Sequence, residues 1–369
     1  MRVLVAPDSF KGTFSATQVA QLVADGLRAA GAEAVELPLA DGGEGTLDVV
    51  LAAWGAQRRT TSVRHPLHGQ VEANWAFLPA RRLALIESAQ ACGLHLTRRT
   101  PSEAIDASTH GVGDLILAAV DVGAERIIVT SGGSATTDGG AGALAAIGPI
   151  ERLRGAQIEV LTDTTVPFAD AARVFGPQKG ADQRTVAHLS DRLDRLAEEY
   201  RRRFGRDPRG VARTGAAGGL SGALWAAYHA PLRSGADAML DLVSFDQLVA
   251  EADAIVVGEG ALDIQSIDGK LVGVVAARSA GKPVIAIVGR CDLRSTLARQ
   301  LGIDSVLVAG DEKALRAAGV RVAADLAAGR GEDAHRRSGG GPSAGDPTGG
   351  DDDGGGRPQQ QGGDGCDPP

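Results

Sequence analysis

Residues 253–263 read DAIVVGEGALD and residues 282–290 read KPVIAIVGR. Both contain a short run of Val, Ile and Ala without polar alternation, the pattern of a strand buried on both faces of a parallel sheet. A third run of this kind, VLVA at residues 3–6, stands at the opposite end of the chain. After it, residues 17–30, TQVAQLVADGLRAA, place apolar side chains at helical spacing behind Ser15 as a cap, and residues 35–38 supply another strand. The chain therefore opens on a βαβ unit. If the runs at its two ends share one sheet, everything between them is an insertion. The fold class read from this pattern is α/β: a Rossmann-like parallel-sheet domain formed by residues 1–60 and 250–330, interrupted by a second α/β domain at 61–249.

The inserted part has a different texture. Residues 60–78, TTSVRHPLHGQVEANWAFL, alternate around the turn PLHG and predict antiparallel strands. Residues 83–87 and 126–130 read as strands around a helix at 113–121, and residues 184–204 as a long charged helix with a solvated face. From residue 331 to 369 the chain has no Leu, Ile, Val, Phe, Tyr or Trp. Such a segment cannot offset its ordering entropy by burial, and disorder is predicted for it.

At 369 residues and 43% hydrophobic composition the chain can bury two cores. A net charge of −8 argues against a sequence-independent grip on nucleic acid or anionic lipid, so an anionic ligand needs a local site. No apolar run approaches the roughly 18 residues a membrane span requires, and the expectation is a soluble, cytoplasmic protein. Cys92, Cys291 and Cys366 lack CxxC spacing, and neither a disulfide framework nor a zinc site is expected.

Three glycine-rich stretches carry the candidate chemistry: ADGGEGT at 40–46, SGGSATTDGGAG at 131–142 and GEGALDIQS at 258–266. Glycines directly after a buried strand can turn the backbone so that successive N–H groups form an anion-binding nest. Each stretch alone could equally be a tight turn; an acid in all three weighs toward ligand binding. In the second, Ser134, Thr136 and Thr137 offer hydroxyls, and Asp138 can hold a metal ion or accept a proton. The sequence contains no GxxxxGK[ST] loop, no GxGxxG after the first strand and no protein-kinase signature.

The segments APDSFKGTFSA (6–16), DGGEGT (41–46), GGSATTDGGAG (132–142), FGPQKGA (175–181), GAAGGLSGAL (215–224) and GEGALDIQSIDGK (258–270) occur in the order found in bacterial glycerate kinases of type I, which include glycerate 2-kinases. The resemblance spans about residues 1–329. It implies a phosphotransferase acting on an alcohol group in organic acid metabolism: ATP and D-glycerate as small-molecule partners, Mg²⁺ as cofactor, and 2-phosphoglycerate as the expected product. Monomer and homodimer stay open.

Phosphoryl transfer asks for positioning and charge neutralisation. With that reaction in mind, Lys11, Asp138 and Asp263 are the catalytic candidates. Asp263 is favoured as general base or Mg²⁺ ligand and Asp138 as the other of the pair. Asp8, Asp41, Gly42, Gly43, Glu44, Gly132, Gly133, Ser134, Thr136, Gln178, Lys179, Gly258, Glu259, Gln265, Ser266 and Lys270 are the candidates for binding ATP or glycerate. The chain departs from the family pattern at Ala261, where arginine is usual, at Val166 and Thr137, where asparagine is usual, and at residues 148–158, which are shortened. These departures motivate an alternative: a ligand-binding homologue with weakened or lost kinase activity.

Overall fold

The computed structural model describes residues 1–338 apart from Lys11, Glu44 and residues 264–270. Among these residues, eleven strands form two sheets. The first joins the two ends of the chain. It contains β1 (Arg2–Pro7), β2 (Glu33–Glu36), β9 (Ala254–Leu262), β10 (Val284–Cys291) and β11 (Ser305–Val308) in the order β11-β10-β9-β1-β2. All four pairings are parallel.

Strand periodicity sends alternate side chains to opposite faces. Val3, Val5, Val256 and Ile287 pack under helices Ala16–Ala29 and Glu312–Ser338. Leu4, Ala6, Ile255 and Val257 pack under helices Gly235–Leu242, Phe245–Glu251 and Leu271–Arg278. From β1 the chain winds toward the β2 edge, and from β9 toward the β11 edge, so the winding direction reverses between β1 and β9. Open α/β sheets bind ligands outside the carboxyl ends of their strands at such a reversal.

The second sheet has the order β3-β4-β5-β6-β7-β8, with β3 (Gln57–Arg64), β4 (Gln70–Leu78), β5 (Leu83–Glu87), β6 (Arg126–Thr130), β7 (Gln157–Leu161) and β8 (Leu232–Arg233). It is antiparallel from β3 to β5 and parallel from β5 to β8. The charged helix Gln183–Phe204 buries Leu189, Leu193, Ala197 and Tyr200 along one stripe, and its Arg and Glu side chains cover the rest.

Packing places the change-overs between the two sheets earlier in the chain than composition and periodicity placed them. The helix Thr46–Ala53 sets Leu47 and Val50 on the second sheet, against Leu83, Leu85 and Ile128. The helix Gly235–Leu242 is wedged between both: Ala236 and Leu240 face the first core, Ala238 and Met239 the second. The chain thus crosses at residues 41–46 and 233–235 rather than at 60/61 and 249/250. At the C-terminus, helix Glu312–Ser338 continues through Gly331, the start assigned to the tail; residues 339–369 lie outside the described residues. Among the described residues no helix is long and apolar enough to cross a membrane.

Candidate active site

The reversal between β1 and β9 opens onto a cleft of about 440 Å³. Its walls are the loops leaving the strands of the first sheet: Asp8 and Ser9 after β1, Glu259–Ala261 and Asp263 at the end of β9, Gly289 and Arg290 on β10. Phe10, Leu271 and Val272 give it an apolar side. Its charged lining among the described residues is Asp8, Asp41, Glu259, Asp263 and Arg290. Arg290 stands opposite Ala261 in the β9/β10 ladder and pairs with Asp292 at 2.8 Å.

A second cleft, about 330 Å³, lies at the carboxyl ends of β6 and β7. Ser131–Ser134 form one wall, Thr162–Thr164 another, and Gln178 and Lys179 a third. Gly133 adopts φ +68°, a left-handed conformation that turns the loop just after β6. The segment before it is held from the side: Leu94 N donates to Gly133 O at 2.9 Å and Ala135 N to Cys92 O at 2.8 Å. Among the described residues, no acceptor receives the N–H groups of Gly132, Gly133 or Ser134. Gly132, Gly133 and Ser134 line a cleft that also holds Asp41, Asp163 and Lys179, the last only 3% exposed. The Lys179 ammonium donates to the Thr136 carbonyl at 2.6 Å, and burial pushes it down to about 8. It remains mostly protonated at neutral pH and supplies a positive charge beside Asp41 and Asp163.

The two clefts share one residue, Asp41. Both crossings of the chain meet there. Gly235 approaches the 41–42 backbone so closely that an added Cβ would lie 1.9 Å from Asp41 O and 3.0 Å from Gly42 Cα. Beside them Asp163 lines the smaller cleft. Its Oδ1 accepts from Gly235 N (2.9 Å), Ser234 Oγ (3.2 Å) and Ala236 N (3.5 Å), the amino end of helix Gly235–Leu242. Burial, reinforced by the charge of Asp41 and opposed by these donors, pushes the Asp163 carboxyl up to about 6.

The structure thus brings Asp8, Asp41, Glu259 and Asp263 to one cleft and Asp41, Gly42, Gly43, Gly132, Gly133, Ser134, Gln178 and Lys179 to the other. Lys11, Glu44, Gln265, Ser266 and Lys270 lie outside the described residues. Three candidates lie in neither cleft. Gly258 is inside β9, its carbonyl accepting from Asp8 N at 2.8 Å. Thr136 is fully buried, and its carbonyl serves Lys179.

Asp138 is the third. Its Oδ2 accepts from Thr109 N (2.9 Å), Thr109 Oγ1 (2.9 Å), Gly142 N (3.1 Å) and Ser108 Oγ (3.5 Å), and its Oδ1 from Gly140 N (3.0 Å). These bonds tie helix His110–Asp121 to helix Ala141–Ile147. Thr137 is also buried, and among the described residues its hydroxyl has no hydrogen-bond partner.

Two acids outside the candidate set acquire clear roles. Asp163 is one. Glu87, the last residue of β5, is the other: buried, it accepts from Leu47 N at 2.7 Å and holds the helix that follows the 41–46 loop. Burial raises its carboxyl above the usual range. A carboxylate ending a buried strand was the available sequence signal, visible in LALIE at 83–87.

A model of the glycerate kinase family matches residues 3–150 and 149–330. The chain is 35% identical over 341 residues to the glycerate 2-kinase of Escherichia coli K12, covering 83% of this chain and 90% of that protein. It is 36% identical over 338 residues to the glycerate kinase of Halalkalibacterium halodurans, covering 82% and 89%. A crystal structure from Salmonella typhimurium LT2, provisionally named glycerate kinase 2, superposes with a TM-score of 0.80 at 33% identity, covering 90% of this chain and 99% of that one. The chain belongs to the glycerate kinase family. The family match breaks at residues 149–150, within the shortened segment.

Proposed function

We propose that this glycerate kinase transfers the γ-phosphoryl group of ATP to the 2-hydroxyl of D-glycerate, with the nucleotide in the cleft between β1 and β9 and glycerate in the cleft after β6. The observation that carries this reading is the sharing of Asp41 by two clefts of different chemistry. The larger has an apolar side and lies where open α/β sheets take nucleotides. The smaller sets the glycine-rich loop after β6 and a buried ammonium beside Asp41 and Asp163, and that ammonium suits a carboxylate. Gln178 and Ser134 line the same cleft and would pair with the glycerate hydroxyls.

A polyphosphate in the larger cleft brings several negative charges of its own. Among the described residues, no group of three His, Cys, Asp or Glu side chains is placed to hold a metal ion by itself. The oxygen donors nonetheless fit Mg²⁺, which commonly takes one or two carboxylates and fills its remaining positions with phosphate and water. Asp263 is the residue that would hold it. When bound, Mg²⁺ supplies neutralisation of the phosphate charge. Arg290, across the ladder from Ala261, supplies a guanidinium to the same cleft, where the family's usual arginine is missing. Ala261 also favours the second reading, a homologue that binds without turnover. An ATP-dependent reaction is consistent with a cytoplasmic location.

D-Glycerate is expected to be turned over at least about 10⁴-fold better than D-lactate, in kcat/KM from coupled ADP release, because lactate lacks one of the two hydroxyls and strands its partners. Equal turnover of lactate would overturn the assignment of the smaller cleft.

A further inference from the structure

We propose that Asp163 is the general base of the transfer, taking the proton of the glycerate 2-hydroxyl on Oδ2. The inference rests on the reading of function above and adds the residue that performs the proton step. Its foundation is geometric. All three hydrogen bonds to Asp163 fall on Oδ1, from Ser234, Gly235 and Ala236. Among the described residues none falls on Oδ2. The helix end therefore fixes the carboxylate, and its second oxygen is left for the cleft that Asp163 lines together with Ser131–Ser134 and Lys179.

The position is also the required one, because Asp163 sits beside the Asp41 junction where the two clefts meet. The Arg213 guanidinium donates to the carbonyl of the preceding residue, Thr162. Asp41 on the 41–46 crossing is the charged neighbour that raises its proton affinity, the helix end presents Ser234 and two amides, and Lys179 stands in the same cleft. A carboxyl pushed up to about 6 is a better base than an ordinary aspartate and is still ionised at neutral pH. Of the buried acids, Asp138 is held by five donors and Glu87 accepts from Leu47 N, while Glu259 lines the larger cleft.

In the step, a lone pair of the 2-hydroxyl oxygen forms the bond to the γ-phosphorus, and the bond from that phosphorus to the β–γ bridging oxygen breaks, with the electron pair leaving on ADP. The hydroxyl proton passes to Asp163 Oδ2 and then to water.

Asp163→Asn is the decisive variant, because its amide oxygen can still accept from Gly235 N and cap the helix while the basic oxygen is lost. Expected are a fall in kcat of about 10²–10⁴-fold, ATP and D-glycerate affinities by calorimetry within about threefold, and a wild-type melting curve. The wild-type kcat/KM should fall below about pH 6. In Asp41→Asn that acid limb should move to lower pH, since removing the neighbouring negative charge lowers the proton affinity of Asp163. An active wild type combined with Asp163→Asn within about threefold of it overturns the base assignment and leaves the function standing. A wild type that makes no phosphoglycerate overturns both. Should Asp163→Asn fail to fold, the Asp41→Asn profile decides: a shifted limb supports Asp163, and an unmoved one overturns it.

Discussion

Gly235→Ala is expected to lower kcat for glycerate about a hundredfold or more while the protein still folds. The added methyl would sit 1.9 Å from Asp41 O, 2.8 Å from Asp41 C and 3.0 Å from Gly42 Cα. All three are backbone atoms, so no side-chain rotation relieves the clash and the two crossings must separate. Gly42 reports the same contact from the other side, since a Cβ there would lie 2.8 Å from Gly235 Cα. Forcing a methyl into such a contact costs about 1–3 kcal/mol, which the two sheet cores can absorb. Catalysis is less tolerant. A displacement of about 1 Å between reacting groups can cost about 10²-fold, and this contact sets the distance between the two clefts. Gly210→Ala is the control: its Cβ would meet nothing within 4 Å. Steady-state kinetics with parallel melting curves check both variants, and equal kcat for the two would remove the junction from the account.

The second large effect is assigned to Lys179→Met. Methionine fills the buried volume but removes the ammonium from the smaller cleft. A hydrogen bond from a charged donor contributes about 1.5–3 kcal/mol. KM for D-glycerate should therefore rise roughly ten- to hundredfold, with KM for ATP nearly unchanged. Burial pushes the Lys179 ammonium down to about 8, so it is the charged form below that pH which binds the carboxylate. Glycerate binding by the wild type should weaken as pH rises through about 8, and the variant should lose that dependence. An equal rise in both KM values would show that Lys179 supports the fold instead of the substrate.

The first sheet was legible because DAIVVGEGALD, KPVIAIVGR and VLVA are buried on both faces and leave no helical alternative. The change-overs between sheets were not. Helix Gly235–Leu242 carries apolar residues toward both cores, and periodicity reveals that such residues are buried without revealing against what. SGGSATTDGGAG shows the same limit at finer scale. Its first glycines, 132 and 133, line the smaller cleft. Gly139 and Gly140 serve close packing, since an added Cβ would meet Leu196 at 2.6 Å and Ala223 at 2.4 Å.

The acids divide similarly. Asp138 stands next to glycines, and the Thr109 donors bonded to it come from a distant turn. Asp163, in TDTTVP, has no such local signature. Its chemistry depends on a helix amino end some seventy residues later, at Gly235.

Phosphorus NMR of the purified protein incubated with ATP, Mg²⁺ and D-glycerate tests the central claim most directly. The account predicts loss of the ATP γ-phosphorus signal and equal appearance of ADP and of a phosphomonoester split into a doublet by the single proton on C2, the mark of 2-phosphoglycerate. ATP that stays intact in the presence of bound glycerate, or ADP accompanied only by inorganic phosphate, would contradict it.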